Sequence, residues 1–252
     1  MKTGIILIVI SILAIVGCRK TIDPYSSNPA DPDYFYNRPV GASANELLSD
    51  NKFKSLKVEI QYMAGFEPNS ASVVHLQNLL ATLVNKPSGI NIVTKEIPSS
   101  SSAQLMISQI LDIEHNNRTA FTTGDQFALY ILFTNGVFTD NQVLGAAYRN
   151  SSMVIFGKNI KDNSGGLGQP GRVKLETTVM EHELGHVLGL VDIGSAMQTN
   201  HKDAAHGNHC NNTNCLMYYS ADTKDVLGFL ITGNTPAFDT NCLADLRANG
   251  GK

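Results

Sequence analysis

The chain has 252 residues, 42% of them hydrophobic, and a formal net charge of −3. That length and balance suit one globular domain with a sizeable core once an N-terminal segment is set aside. No basic run stands out, so a nucleic-acid partner is not expected, and nothing points beyond a monomer.

Residues 1–17 read as a secretion signal, with Lys2 ahead of the almost wholly apolar run from Ile5 to Val16. The run is shorter than the roughly 20 residues that a membrane-spanning helix needs. Its end, Ile15-Val16-Gly17-Cys18, resembles a bacterial lipobox. That resemblance implies an acylated Cys18 and a domain held on a membrane of a Gram-negative-type cell envelope, periplasmic or at the cell surface. An ordinary secretory peptide, or a weak anchor with Cys18 incidental, is the alternative. Residues 18–55 are polar and rich in proline, serine and asparagine, which predicts a tether. The aromatic cluster Tyr34-Phe35-Tyr36 offers two competing readings, docking on the domain or occupying its cleft.

From residue 56 onwards the pattern is that of a catalytic-sized domain, 56–252. Alternation of Leu56, Val58, Ile60 and Tyr62 predicts a strand over 56–63, and the spacing of Val73, Leu76, Leu79, Leu80 and Leu83 predicts a helix over 72–84. The β-branched stretch 90–97 reads as a strand and 104–114 as a helix. The continuous apolar run 127–133 suits a central buried strand, followed by strands at 143–148 and 152–156. Alternating strands and helices predict an α/β fold around a mixed, mostly parallel sheet. Residues 163–171 form a glycine-rich connection without a phosphate-loop pattern. A helix is then expected over 173–188, and the tail 244–252 closes a last helix.

That penultimate helix carries His182-Glu183-Leu184-Gly185-His186-Val187-Leu188-Gly189. Histidines four apart project from one helix face, one turn apart, and can grip a single Zn²⁺ at about 2.0–2.1 Å each. Zinc lowers the pKa of a bound water toward about 7, and the adjacent Glu183 carboxylate is placed to take its proton. His-Glu-x-x-His thus supplies two ligands and a general base. Gly189 can adopt φ > 0, end the helix and turn the chain back toward a third ligand.

Two candidates exist for that ligand. Extending the motif as His-Glu-x-x-His-x-x-Gly-x-x-His/Asp, the metzincin pattern, lands on Asp192. Further on, His209-Cys210-Asn211-Asn212-Thr213-Asn214-Cys215-Leu216-Met217 has the form His-Cys-x4-Cys-x-Met. This resembles the archaemetzincins, in which the third zinc histidine directly precedes the cysteine pair, so the resemblance implies His209 as ligand and Met217 as the methionine of the Met-turn. In that family the histidine follows the glycine by three residues, whereas His209 follows Gly189 by twenty, which makes 192–208 an insertion. His209 is favoured, with Asp192 as runner-up. His201 and His206, within the insertion, read as solvated loop histidines. Tyr219 has the Met-x-Tyr spacing of astacin- and serralysin-like metzincins, which implies a hydroxyl that reaches the metal or a developing oxyanion; a half-buried structural tyrosine is the alternative.

The resemblance further implies a second, structural zinc on two cysteines and a later Cys-x-x-Cys. Here the counterparts are Cys210, Cys215, Asp239 and Cys242, three thiolates and a carboxylate. A Cys210–Cys215 or Cys215–Cys242 disulfide competes with it, since export favours oxidation. The metzincin likeness implies a twisted sheet with an antiparallel edge strand, two backing helices including the zinc helix, and a small C-terminal subdomain. The expected function is a zinc-dependent metalloendopeptidase acting on a protein or peptide laid against an edge strand near 143–156. A zinc hydrolase of a non-peptide bond and a non-catalytic zinc-containing binding lipoprotein are the alternatives.

Overall fold

The structure is a computed structural model that describes residues 28, 33–222 and 235–252. The proposed signal, Cys18 and residues 19–27 and 29–32 of the expected tether lie outside the described residues. Among those described, no helix is long and apolar enough to cross a membrane.

In chain order the elements are α1 (Ala44–Leu48), β1 (Ser55–Met63), α2 (Ser70–Leu83), β2 (Ile90–Ile97), β3 (Gln104–Leu105), α3 (Ile107–Asn117), β4 (Gln126–Phe133), β5 (Val137–Phe138), β6 (Gly145–Arg149), β7 (Ser152–Ile155), α4 (Gly157–Asp162), α5 (Arg172–Val187), a 3₁₀ turn at Tyr219–Asp222 and α6 (Thr240–Ala248). Five strands form one sheet in the order β2-β1-β4-β7-β6. The first four run parallel; β6 pairs antiparallel with β7 and forms the edge. This is the mixed α/β sheet that the alternating pattern predicts.

Strand alternation splits the apolar residues between two faces. Leu56, Val58 and Ile60 of β1 and Phe127, Leu129, Ile131 and Phe133 of β4 meet α2 and α5 in the main core. Tyr130 and Leu132 face the other way, toward Ile110 of α3. Helix α5 contributes Leu175, Val179, Met180, Leu184 and Val187, all fully buried, each stabilising the fold by roughly 1.5–3 kcal/mol. It is therefore fixed along its length against the sheet, a rigid platform for the two motif histidines.

Three expectations need correction. The helix expected from residue 104 starts at Ile107, because Gln104–Leu105 pairs in parallel with β5 and the Gln109 side chain accepts the Met106 backbone N–H at 2.9 Å, capping the helix there. The short helix α4 lies where no helix was expected. Residues 33–55, assigned to a tether on polarity, carry α1, and Leu47, Leu48 and Phe53 sit in the main core. Phe35 packs edge-on to Phe53 at 5.7 Å and Tyr36 lies 5.0 Å from Phe121, so the aromatic cluster docks on the domain. Polar composition hid this segment because a few apolar side chains, spaced to face one way, suffice to bury it.

Candidate active site

Helix α5 ends where Gly189 takes φ +78°, with its N–H donating to the His186 carbonyl at 2.9 Å and the Leu190 N–H donating to that of Gly185 at 3.0 Å. Val191 and Asp192 follow with positive φ, and the chain turns back beneath the helix. The 192–208 insertion then delivers His209. Its ring centroid lies 5.3 Å from that of His182 and 5.1 Å from that of His186. The three histidines each offer a ring nitrogen within 4.8 Å of the others, and Nε2 of His182 and of His186 are 3.1 Å apart. Tetrahedral zinc with bonds of about 2.1 Å would place its ligand nitrogens about 3.4 Å apart.

Backbone carbonyls set the tautomers. A carbonyl only accepts, so His182 Nδ1–H donates to Leu216 at 2.7 Å and His209 Nδ1–H donates to His206 at 2.7 Å. Both rings therefore present an Nε2 lone pair. Burial, then the neighbouring His182 and His209 rings, hold His186 well below the usual histidine range, so it is neutral and able to ligate. The donor set fits a borderline-soft divalent cation such as zinc.

Asp192 is not part of this group. Its side chain is 55% exposed and its Oδ2 is 3.7 Å from Lys202 Nζ. Of the two third-ligand candidates, the structure brings His209 to the pair, and the insertion is the loop that makes this possible.

Glu183 sits beside the triad, where its Oε2 accepts the Ala147 N–H of β6 at 2.6 Å. Helix α5 and the sheet edge are thereby tied at the carboxylate. Gly145 allows the approach: a Cβ there would lie 2.7 Å from Val179 Cγ1 and 2.9 Å from Glu183 Cγ. Met217 lies beneath the helix against Gly185, where an added Cβ would collide with Met217 Sδ and stand 3.0 Å from Phe238 Cε1. Gly185→Ala is therefore expected to destabilise by roughly 1–3 kcal/mol through overpacking, lowering Tm by about 2–12 °C in a thermal melt. Tyr219 stacks face to face on His206, with centroids 3.7 Å apart and planes 7° apart. His206 is exposed and its Nδ1 is 2.7 Å from Asp203 Oδ2.

A second constellation lies next in sequence to His209. Cys210, Cys215 and Cys242 are buried free thiols, with the Sγ atoms of Cys215 and Cys242 3.5 Å apart. His201 is only 1% exposed, against the solvated loop position expected for it. Its Nε2–H donates to the buried carboxylate of Asp245 at 2.8 Å, which turns Nδ1 inward, 3.4 Å from Cys210 Sγ and 4.0 Å from Cys242 Sγ. His201, Cys210, Asp239 and Cys242 bring their donor atoms within 4.8 Å of one another. Both oxygens of Asp239 also have other work: Oδ1 caps α6 by accepting the Cys242 N–H at 2.9 Å, and Oδ2 accepts from Asn212 Nδ2 at 2.9 Å. Thiol hydrogen bonds from Cys210 and then Cys242, with N–H donors from Asp239 and Met217 at 3.4 Å each, hold the Cys215 thiol below the usual cysteine range. A sequence signal for His201 existed only in its presence; its burial depends on Asp245, 44 residues away.

No protein-family model matches the sequence, and no curated protein sequence matches it. Among solved structures, 25 chains match. One is the crystal structure of archaemetzincin from Methanopyrus kandleri, with a TM-score of 0.53 and 17% identity over 78% of this chain and 96% of that one. The chain has the archaemetzincin fold. Metalloproteinase-II from Bacteroides fragilis is a more distant match, with a TM-score of 0.44 and 13% identity over 88% of this chain and 58% of that one. Within this fold His182, His186 and His209 come together beside the edge strand β6, although twenty residues separate His209 from Gly189.

Proposed function

We propose that the chain is a zinc-dependent metalloendopeptidase. The observation that carries the reading is the convergence of His182, His186 and His209 beside Glu183, at the open edge of the sheet. A zinc ion held there supplies a water acidified toward about 7 and a Lewis acid for the scissile carbonyl. Glu183 is the general base: its carboxylate takes the water proton and returns it to the leaving amine. Its bond to Ala147 fixes the carboxylate, and a substrate strand laid along β6 is held at the same edge. Tyr219 is proposed to donate to the developing oxyanion; its stack on His206, whose carbonyl holds His209, supports a position next to the third ligand.

The second constellation is proposed as a structural zinc centre on Cys210, Cys215, Cys242 and His201. Three thiolates and an imidazole are a usual tetrahedral set. Cys210 directly follows His209, so this centre anchors the catalytic ligand. The substrate is a protein or peptide, and the monomer is proposed to act from a bacterial envelope, held by acyl chains on Cys18. Support for the anchor is the apolar run and the lipobox-like end.

The test is cleavage of an unfolded protein by the purified chain, before and after a strong chelator. Cleavage that stops on chelation and returns with one equivalent of zinc at the emptied site supports the reading. No cleavage of proteins or peptides by the zinc-loaded chain refutes it.

A further inference from the structure

Residues 35–43 are built into the domain next to the histidine group. Asn150, fully buried in the turn between β6 and β7, holds them at four points. Its Oδ1 accepts the Arg38 N–H at 2.9 Å, and its own N–H donates to the Arg38 carbonyl at 3.0 Å. Its Nδ2 donates to the Phe35 carbonyl at 2.8 Å and to Ser43 Oγ at 2.7 Å. Arg38 adds an ion pair to Glu46. Beyond Arg38 the segment crosses the loop after the zinc helix at a junction of three glycines. Gly41 has φ +78°, and a Cβ on it would collide with the Ile193 carbonyl and stand 3.1 Å from Gly189 Cα; a Cβ on Gly194 would collide with the Gly41 carbonyl. Only bare backbone fits at this crossing.

The junction places Val40 and Ile193 in one wall of a cleft of about 380 Å³ whose floor carries Glu183, His186 and His209. Phe138 and Val143 add further apolar lining. Apart from Glu183, no carboxylate, lysine or arginine among the described residues lines it. A charged substrate side chain entering here would lose water and find only Glu183, which the reaction occupies, and the neutral amide of Asn208, whereas an apolar one loses only its exposed surface. Neither Val40 nor Ile193 belongs to the zinc motif: one comes from the segment before α1, the other from the insertion.

We propose that Val40 and Ile193 set the substrate class, selecting peptides with an apolar side chain beside the scissile bond. The proposal rests on the peptidase reading above. It makes residues 35–43 a part of the cleft lining, with a role beyond linking the domain to a membrane.

The experiment uses the full chain, zinc-loaded, on a defined peptide mixture, with products identified by mass spectrometry. The variants are Val40→Phe, Val40→Ala and Ile193→Ala, each checked for zinc content and Tm. In the parent, bonds flanked by apolar residues are expected to be cut at least tenfold faster than those flanked by Asp or Lys. Val40→Phe narrows the cleft and moves the preference toward Gly, Ala and Ser by about tenfold, and the two alanine variants move it toward larger apolar residues, consistent with the roughly 10–200-fold worth of small volume changes in an apolar pocket. Cleavage with the same profile in parent and all variants overturns this inference and leaves the peptidase reading intact. A zinc-loaded parent that cuts nothing overturns both.

Discussion

Replacing Glu183 by glutamine is expected to lower kcat for peptide cleavage by about 10³-fold, within the range for loss of a positioned general base, while zinc per chain stays at the parent value. The amide is nearly isosteric, and its carbonyl oxygen can still accept the Ala147 N–H that the carboxylate accepts at 2.6 Å. The tie between α5 and β6 therefore persists, and only the proton acceptor is lost. The three histidines do not depend on Glu183 for their orientation, because His182 and His209 are held through Leu216 and His206 carbonyls. Initial rates on a fluorogenic peptide pool, with zinc measured on the same sample, check this. A variant within threefold of the parent places the base elsewhere.

His201→Ala is expected to remove the second zinc and to lower Tm by about 8–16 °C, taking a loss of roughly 4 kcal/mol at about 2–4 °C per kcal/mol for a chain of this size. The reason lies in what the site leaves behind. Without the imidazole, three buried thiols crowd one another with an incomplete ligand set, and Asp245 loses the Nε2–H that it accepts at 2.8 Å. Asp239→Asn is the informative partner. The asparagine keeps the cap on α6 through its carbonyl oxygen but loses the bond from Asn212 Nδ2, so that variant is expected to retain the second zinc and to lose less Tm than His201→Ala. The reverse outcome, zinc lost with Asp239→Asn and kept with His201→Ala, would assign the fourth ligand to the carboxylate. Differential scanning calorimetry with metal analysis separates the two.

The elements that the sequence made legible are those whose signal is local. The period-2 alternation of β1, the apolar run of β4 and the helical spacing of α2 and α5 each report burial directly, and all four lie within a few residues of their expected bounds. His182, Glu183 and His186 were legible for the same reason, since one helical turn fixes their geometry. What escaped depends on partners distant in sequence. His201 is recognisable only once Asp245 and the thiols surround it. Residues 33–55 look like a linker until Asn150 and the three-glycine crossing are seen to hold them. His209 stood between these cases: the His-Cys-x4-Cys-x-Met context pointed to it, the structure brings it to His182 and His186, and the insertion disguised its spacing from Gly189.

The most direct test of the account is zinc per chain, by elemental analysis after exchange against a mild chelator, for the parent, His209→Ala and Asp192→Ala. The account predicts two zincs in the parent and in Asp192→Ala, and one in His209→Ala. Loss of a zinc with Asp192→Ala and not with His209→Ala, or a folded parent that holds no zinc, would contradict it.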